Sequence, residues 1–200
     1  MKPLILGSTV LFAAIAAVAL ATTLSKPLSA SAARTLAYGS PGMESEVERG
    51  RYLINGFGCA DCHTPHVMGP GGPERDLSRN LSGHPADLKF PPAPALPPGP
   101  WVATVAGSMT AWSGPWGTSY PANLTPDMET GLGKWTDEEF VATLKTGRHM
   151  GRGREVLPPM PIAATRNLSE DDLRAMFAYL RTIPAVKNRV PDPLPPAPSR

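Results

Sequence analysis

The sequence predicts a mainly helical domain threaded by long irregular loops, and three observations carry this expectation. Apolar residues recur at helical spacing in three stretches, which begin near Glu44, Thr136 and Ser169, and the last two open on hydroxyl caps followed three residues later by an acid. The 25 prolines and 19 glycines crowd into the segments between, where they interrupt regular structure. No alternating apolar pattern flanks the two cysteines, Cys59 and Cys62, and the one stretch with strand character is Trp101-Val102-Ala103-Thr104-Val105.

The chain opens as an exported protein would. Lys2 precedes an uncharged apolar run from Leu4 to Leu24, and Ala30-Ser31-Ala32 fits a small-residue cleavage site. Residues 1–32 are therefore expected to be a signal peptide or an N-terminal membrane anchor, since residues 4–24 approach the ~20 needed to span a bilayer. Either way the folded part lies outside the cytoplasm. Of the 19 basic and 17 acidic residues, Lys2 and Lys26 fall in that leader and no acid does, so the remaining chain is close to neutral. No basic field argues for nucleic acid, and contact with a membrane is expected only if the leader is retained. Residues 33–43 read as a lead-in to one domain.

Glu44, Glu46 and Glu48 suit the N-terminal end of the first helix. Val47, Gly50, Ile54 and Phe57 follow at spacings of three, four and three. A glycine inside a helix costs about 1 kcal/mol relative to alanine, so Gly50 is expected where another helix approaches closely. Then comes Cys59-Ala60-Asp61-Cys62-His63, the spacing of a c-type haem attachment site. Two thiols on one helical turn can each add across a porphyrin vinyl group, and the next residue then faces the iron. Cys59 and Cys62 are thus the expected thioether positions and His63 the expected proximal ligand. A metal-bound imidazole needs its second nitrogen held, and the Pro70 or Pro73 carbonyl is the candidate partner. Two other uses of the cysteines compete: a disulfide or redox pair, which expects a βαβ surround, and a zinc site with His63 and His66, which usually draws its ligand pairs from two separated segments. The cysteine count leaves no room for a second haem.

The region after His63 is expected to be irregular. Gly69 to Pro73 form a loop, Phe90 to Pro100 is proline-dense and extended, and His66 and His84 are expected to be solvated rather than ligands. Trp101, Trp112, Trp116 and Trp135 suggest a folded cover, either a haem wall or a satellite core. Asn123-Leu124-Thr125-Pro126-Asp127 reads as a turn, and formally as a glycosylation sequon.

Thr136 and Glu139 make a capping box for the second helix, Phe140, Val141 and Leu144 form its apolar stripe, and Gly147 closes it. The basic loop Arg148 to Arg154 is either solvated or a contact for haem propionates or an acidic partner. In Leu157-Pro158-Pro159-Met160-Pro161 the prolines hold the backbone extended, so Met160 can present its thioether with little entropy loss. Met160 is the candidate sixth ligand, ahead of Met150, Met109, Met128 and His149; His/Met ligation raises the iron's potential. The last helix starts at Ser169 with Asp172 as its box partner, buries Leu173, Met176, Phe177 and Leu180 on one face, and ends before Pro184. Residues 185–200 read as a Pro-rich tail, disordered from Pro191 to Arg200.

Gly50-Arg51-Tyr52-Leu53, the Cys59 to His63 motif and Leu173 to Leu180 with Tyr179 together resemble a class I c-type cytochrome domain over residues 44–184. Asn123 to Asp127, Thr130-Gly131-Leu132-Gly133-Lys134-Trp135, Asp137-Glu138-Glu139-Phe140 and Pro159-Met160-Pro161 are similar, more narrowly, to cytochrome subunits of membrane-associated alcohol and sugar-acid dehydrogenases. Those subunits usually carry several haem domains, whereas this sequence carries one. The resemblance implies an all-α, cytochrome c-like fold whose first and last helices cross near Gly50 around one covalent haem c. It implies Cys59 and Cys62 as thioether links, His63 as proximal ligand, Met160 as distal ligand, and no catalytic residue. With both axial positions filled, outer-sphere electron transfer between a dehydrogenase and a terminal acceptor is the expected role. A peroxidase-like enzyme or a gas or redox sensor would instead need a labile sixth ligand.

Overall fold

The computed structural model describes residues 43–196. The leader and nearly all of the lead-in fall outside the described residues, as do the last four. Among the described residues no helix is long and apolar enough to cross a membrane. The chain forms α1 (Met43–Gly56), α2 (Cys59–His63), the hairpin β1 (His66–Gly69) and β2 (Gly72–Arg75), the antiparallel sheet β3 (Thr104–Val105), β4 (Trp112–Gly114) and β5 (Gly117–Ser119), then α3 (Asp137–Thr146), α4 (Ile162–Thr165) and α5 (Glu170–Leu180).

The three long helices form where their caps and stripes place them. Thr136 accepts from the Glu139 amide while Glu139 reaches back to the Thr136 amide, and Gly147 closes α3 in the left-handed conformation at φ 72°. Ser169 caps α5 by accepting from the Asp172 amide. Asp172 does not complete a box; its carboxylate turns to Arg49 of α1 at 2.9 Å. Such partly exposed pairs contribute about 0–1 kcal/mol, so burial of the apolar faces dominates. Leu173, Met176, Phe177 and Leu180 are each at most 2 % exposed, and Phe177 stacks on Phe140 of α3 with ring centroids 5.0 Å apart. Met176 is a core residue, as its place in the stripe implies.

The crossing of α1 and α5 depends on Gly50. A Cβ there would overlap the Ala175 carbonyl and lie 2.9 Å from the Tyr179 Cβ. The buried face of α1 is Gly50, Leu53 and Ile54. Phe57, expected in that stripe, lies past the helix end and is 38 % exposed.

Two expectations need correction. The fold is mainly helical but not all-α: residues 66–75, read as irregular, form a hairpin, and the stretch read as a folded cover forms a second small sheet. Their strands are two to four residues long, and β1 and β2 bury neither face, so no alternation marks them. Only Thr104–Val105 falls in the stretch with strand character. Residues 185–196 are likewise not a loose tail. Asn188 donates to the Ser82 and His84 carbonyls at 2.7 and 2.9 Å and accepts from the Ala86 amide at 2.9 Å. Leu194 exchanges two backbone hydrogen bonds with Thr118, each 2.9 Å. Proline content signalled a lack of helix; it also preorganises an extended strap. The sequon is closed: Asn123 is 3 % exposed and its amide donates to the Val186 carbonyl at 2.8 Å.

Gly50→Ala gains about 1 kcal/mol of helix propensity, but the overlap with Ala175 outweighs it. Net destabilisation of about 1–3 kcal/mol is expected from the forced repacking, measured as a lower urea midpoint with an unchanged slope.

Candidate functional site

The site starts at Gly58, whose left-handed φ of 64° turns the chain from α1 into the single turn of α2. Cys59 and Cys62 lie three residues apart on that turn, so their side chains share a face. Both thiols are free and half-buried. Burial pushes the Cys59 thiol up to about 11, and it raises Cys62 as well. No disulfide joins the pair, and an antiparallel hairpin rather than a βαβ unit follows it. Among the described residues no three His, Cys, Asp or Glu side chains gather as a metal set, so His66 does not complete a zinc site.

His63 is buried, and its Nδ1 lies 2.8 Å from the Ala122 carbonyl oxygen. With Nδ1–H donating there, the tautomer leaves Nε2 as the ring's open donor atom. Burial lowers the pKa of His63 and the Ala122 contact raises it in part, which keeps the ring neutral. The expected carbonyls of Pro70 and Pro73 do not serve. Those residues belong to the β1–β2 hairpin, which Asp61 and Arg75 tie to α2 at 3.6 Å. No local signal marks Ala122, which is 59 residues from His63, although the turn that follows it is legible.

Two loops hold this carbonyl in place. The Gly83 amide donates to the His63 carbonyl at 2.8 Å, His84 to Pro121 at 3.1 Å, and Leu124 to Leu81 at 2.8 Å. Gly83 has φ 78°, and a Cβ there would lie 2.5 Å from the Pro121 oxygen and 2.7 Å from that of Ala122. Only glycine fits so close to the acceptor of His63. His84 is not solvated as expected. It is 1 % exposed, its Nδ1 meets the Thr110 hydroxyl at 3.0 Å and its Nε2 the Leu88 carbonyl at 3.1 Å. Its ring packs on Tyr120 with centroids 4.6 Å apart. With both nitrogens engaged, it is a structural histidine.

Met160 packs against the apolar cluster that Cys59 and Ala60 also join. The Ser119 hydroxyl donates to the Pro158 carbonyl, two residues before it. The other methionine candidates are placed differently: Met128 is 57 % exposed, while Met109 and Met150 sit at left-handed φ of 58° and 52° in tight turns. His149 lies edge-on to Trp135, centroids 4.9 Å apart. In the basic loop, Arg152 pairs with Glu139 at 3.2 Å.

These residues fit a haem. Two free thiols and one oriented imidazole share a turn, and a methionine faces the same apolar cluster. Among the described residues two sealed ring nitrogens, His66 Nε2 and Trp116 Nε1, have no hydrogen-bond partner, a costly arrangement. Trp101 is 76 % exposed among the protein's own atoms.

A family model described as cytochrome c matches residues 47–184. The chain is 30 % identical over 160 residues to the cytochrome c subunit of a quinone alcohol dehydrogenase from Gluconobacter oxydans, covering 78 % of this chain and 26 % of that protein. It is 30 % identical over 145 residues to a nicotinate dehydrogenase subunit from Pseudomonas putida, covering 72 % of this chain and 9 % of the relative. It is 28 % identical over 153 residues to the fructose dehydrogenase cytochrome subunit of Gluconobacter japonicus, covering 74 % and 24 %. The chain thus spans about a quarter or less of the length of these relatives.

Burial lowers the pKa of His84, and only partly do the bonds to Leu88 and Thr110 and the nearby Asp87 raise it; Lys89 lowers it further. The folded state therefore binds its proton at lower pH than the unfolded chain, whose histidine titrates near ~6.5. The stability so contributed is present above that pH and is lost as pH falls through the folded value. His84→Phe is expected to cost about 1–3 kcal/mol at pH 7.5 by stranding Thr110 and Leu88. The gap to wild type should narrow at pH 5.5 in urea unfolding.

Proposed function

The chain belongs to the cytochrome c family, and we propose that it is an exported electron carrier holding one haem c through Cys59, Cys62, His63 and Met160. Residues 44–184 would form its haem domain. The observation that carries this reading is the buried imidazole whose Nδ1 is committed to the Ala122 carbonyl 2.8 Å away, directly after two free thiols on the same turn. A family of this kind implies covalent haem c, which supplies a one-electron couple when bound.

The chain's own residues do the rest. Cys59 and Cys62 would hold the group by thioether bonds from their two thiols. His63, fixed in tautomer and direction, would supply Nε2 as one ligand. Met160, between prolines that lack amide donors, would supply its thioether as the other. With both ligands from the protein no position would be left for a substrate, and the buried cluster of Leu53, Ile54, Phe177 and Leu180 keeps water out. Little then moves when the charge changes, which suits outer-sphere transfer.

The relatives named as subunits of alcohol and fructose dehydrogenases support a dehydrogenase as electron donor, with a downstream redox protein as acceptor. The leader, residues 1–32, supports a periplasmic site of action, at the membrane if residues 4–24 are retained.

Optical spectra of the purified holoprotein test this reading. Wild type should show a low-spin haem and the near-infrared methionine-to-iron band. Met160→Ala should lose that band while the haem stays covalently attached, and Cys59→Ser should lose one thioether in the pyridine haemochrome. A high-spin wild type, or a band that survives Met160→Ala, would overturn the ligand assignment and favour a peroxidase-like enzyme or a sensor.

A further inference from the structure

The loop that carries Met160 has few means of holding itself. Pro158, Pro159 and Pro161 donate no amide hydrogen, and the Met160 amide reaches the Leu157 carbonyl only at 3.3 Å. The loop is tied before and after by Val156 to the Gly147 carbonyl at 2.8 Å and by the Ile162 amide to the Met160 carbonyl at 2.9 Å. Between these ties the long-range bond is the Ser119 hydroxyl on the Pro158 carbonyl, from 39 residues away. Ser119 is 7 % exposed, so the bond is shielded from competing water.

Ser119 is itself held from both sides. It lies on β5 opposite Trp112 of β4, and its neighbour Thr118 exchanges two 2.9 Å backbone bonds with Leu194 of the C-terminal strap. The strap continues back to Asn188, which is bonded to the carbonyls of Ser82 and His84 beside the His63 loop. The covalent chain of the strap therefore joins the hydrogen bonds at the loops around the histidine to those on β5, and Ser119 of β5 bonds the methionine loop.

We infer that the small β3–β5 sheet is a clamp on the distal loop, with Ser119 as the positioning residue that sets how tightly Met160 keeps its place on the iron. The inference rests on Met160 as distal ligand. Releasing the Pro158 carbonyl lets the loop swing out, so an added ligand competes with the thioether more easily.

Imidazole titration of the oxidised holoprotein, followed by loss of the near-infrared band, reads this directly. Ser119→Ala should keep the band at pH 7 without imidazole yet bind imidazole about fivefold to tenfold more tightly, the equivalent of one lost hydrogen bond. Ser119→Thr, which keeps the hydroxyl, should restore most of the wild-type affinity. Leu194→Pro, which deletes the strap's amide donor to Thr118, should shift affinity the same way by a smaller factor and carries the test if Ser119→Ala fails to mature. A band present in wild type with imidazole affinity unchanged in the variants, whatever happens to the urea midpoint, overturns the clamp and leaves the ligand assignment standing. A wild type without the band overturns both.

Discussion

The hydrogen bond from His63 to the Ala122 carbonyl is the constraint on which the site depends. A ligand histidine must present one nitrogen while the other is held, and here the holder comes from a loop far along the chain. That loop would wander without support, because a carbonyl in an irregular segment has no helix or sheet to aim it. The support is a ladder of backbone bonds among residues 63, 81–84 and 121–124, backed by the buried His84 and by Asn188 of the strap. Gly83 belongs to the same device, since any side chain would occupy the space of the Ala122 oxygen. The histidine's orientation is thus a tertiary property, although its position in the motif is a local one.

The helices and the loops divide the work differently. Helices α1, α3 and α5 supply most of the apolar burial, and the crossing at Gly50 brings α1 close enough to α5 for Leu53 and Ile54 to join one cluster with Phe177 and Leu180. This frame delivers α2, and hence both thiols, to the edge of the core. The loops contribute less to the core but hold the groups that would aim the two proposed ligands: Ala122 bonds His63, and Ser119 bonds the loop of Met160. A mutation in the frame should act mainly on stability, and one in the loops mainly on the geometry at the cofactor.

What was legible in the sequence follows this division. The three helices, the caps at Thr136 and Ser169, the close approach at Gly50 and the core role of Met176 were readable because each rests on spacing within about ten residues. The Cys59, Cys62 and His63 cluster was readable for the same reason. The partner of His63 was not, since Pro70 and Pro73 were nearer in sequence and Ala122 carries no side-chain signature. Of the two small sheets only β3 fell in a stretch read as strand; the other strands were missed because they are short and largely without a buried face. His84 looked like a lone histidine among polar residues, yet Thr110, Tyr120 and Leu88 enclose it. The Pro-rich C-terminus misled in the opposite sense: composition showed what it could not form and concealed what it could dock against.

A methionine is a weaker partner for a protein to aim than a histidine, and this would explain why the surroundings of the two proposed ligands, His63 and Met160, are built unlike one another. The imidazole has a second polar nitrogen, so a single carbonyl can orient the ring itself. A thioether has no such handle, and its three flexible torsions give it many directions. The backbone that carries it must therefore be held instead. Prolines at 158, 159 and 161 narrow the loop's own conformations, but they also strip it of the amide hydrogens that would otherwise bond it to the domain. What remains available is carbonyl oxygen, and a donor must come to it from outside. Ser119 is such a donor, on a strand pinned by β4 and by the C-terminal strap. The cost of a preorganised methionine loop is dependence on a distant part of the chain, and the strap across β5 meets that dependence.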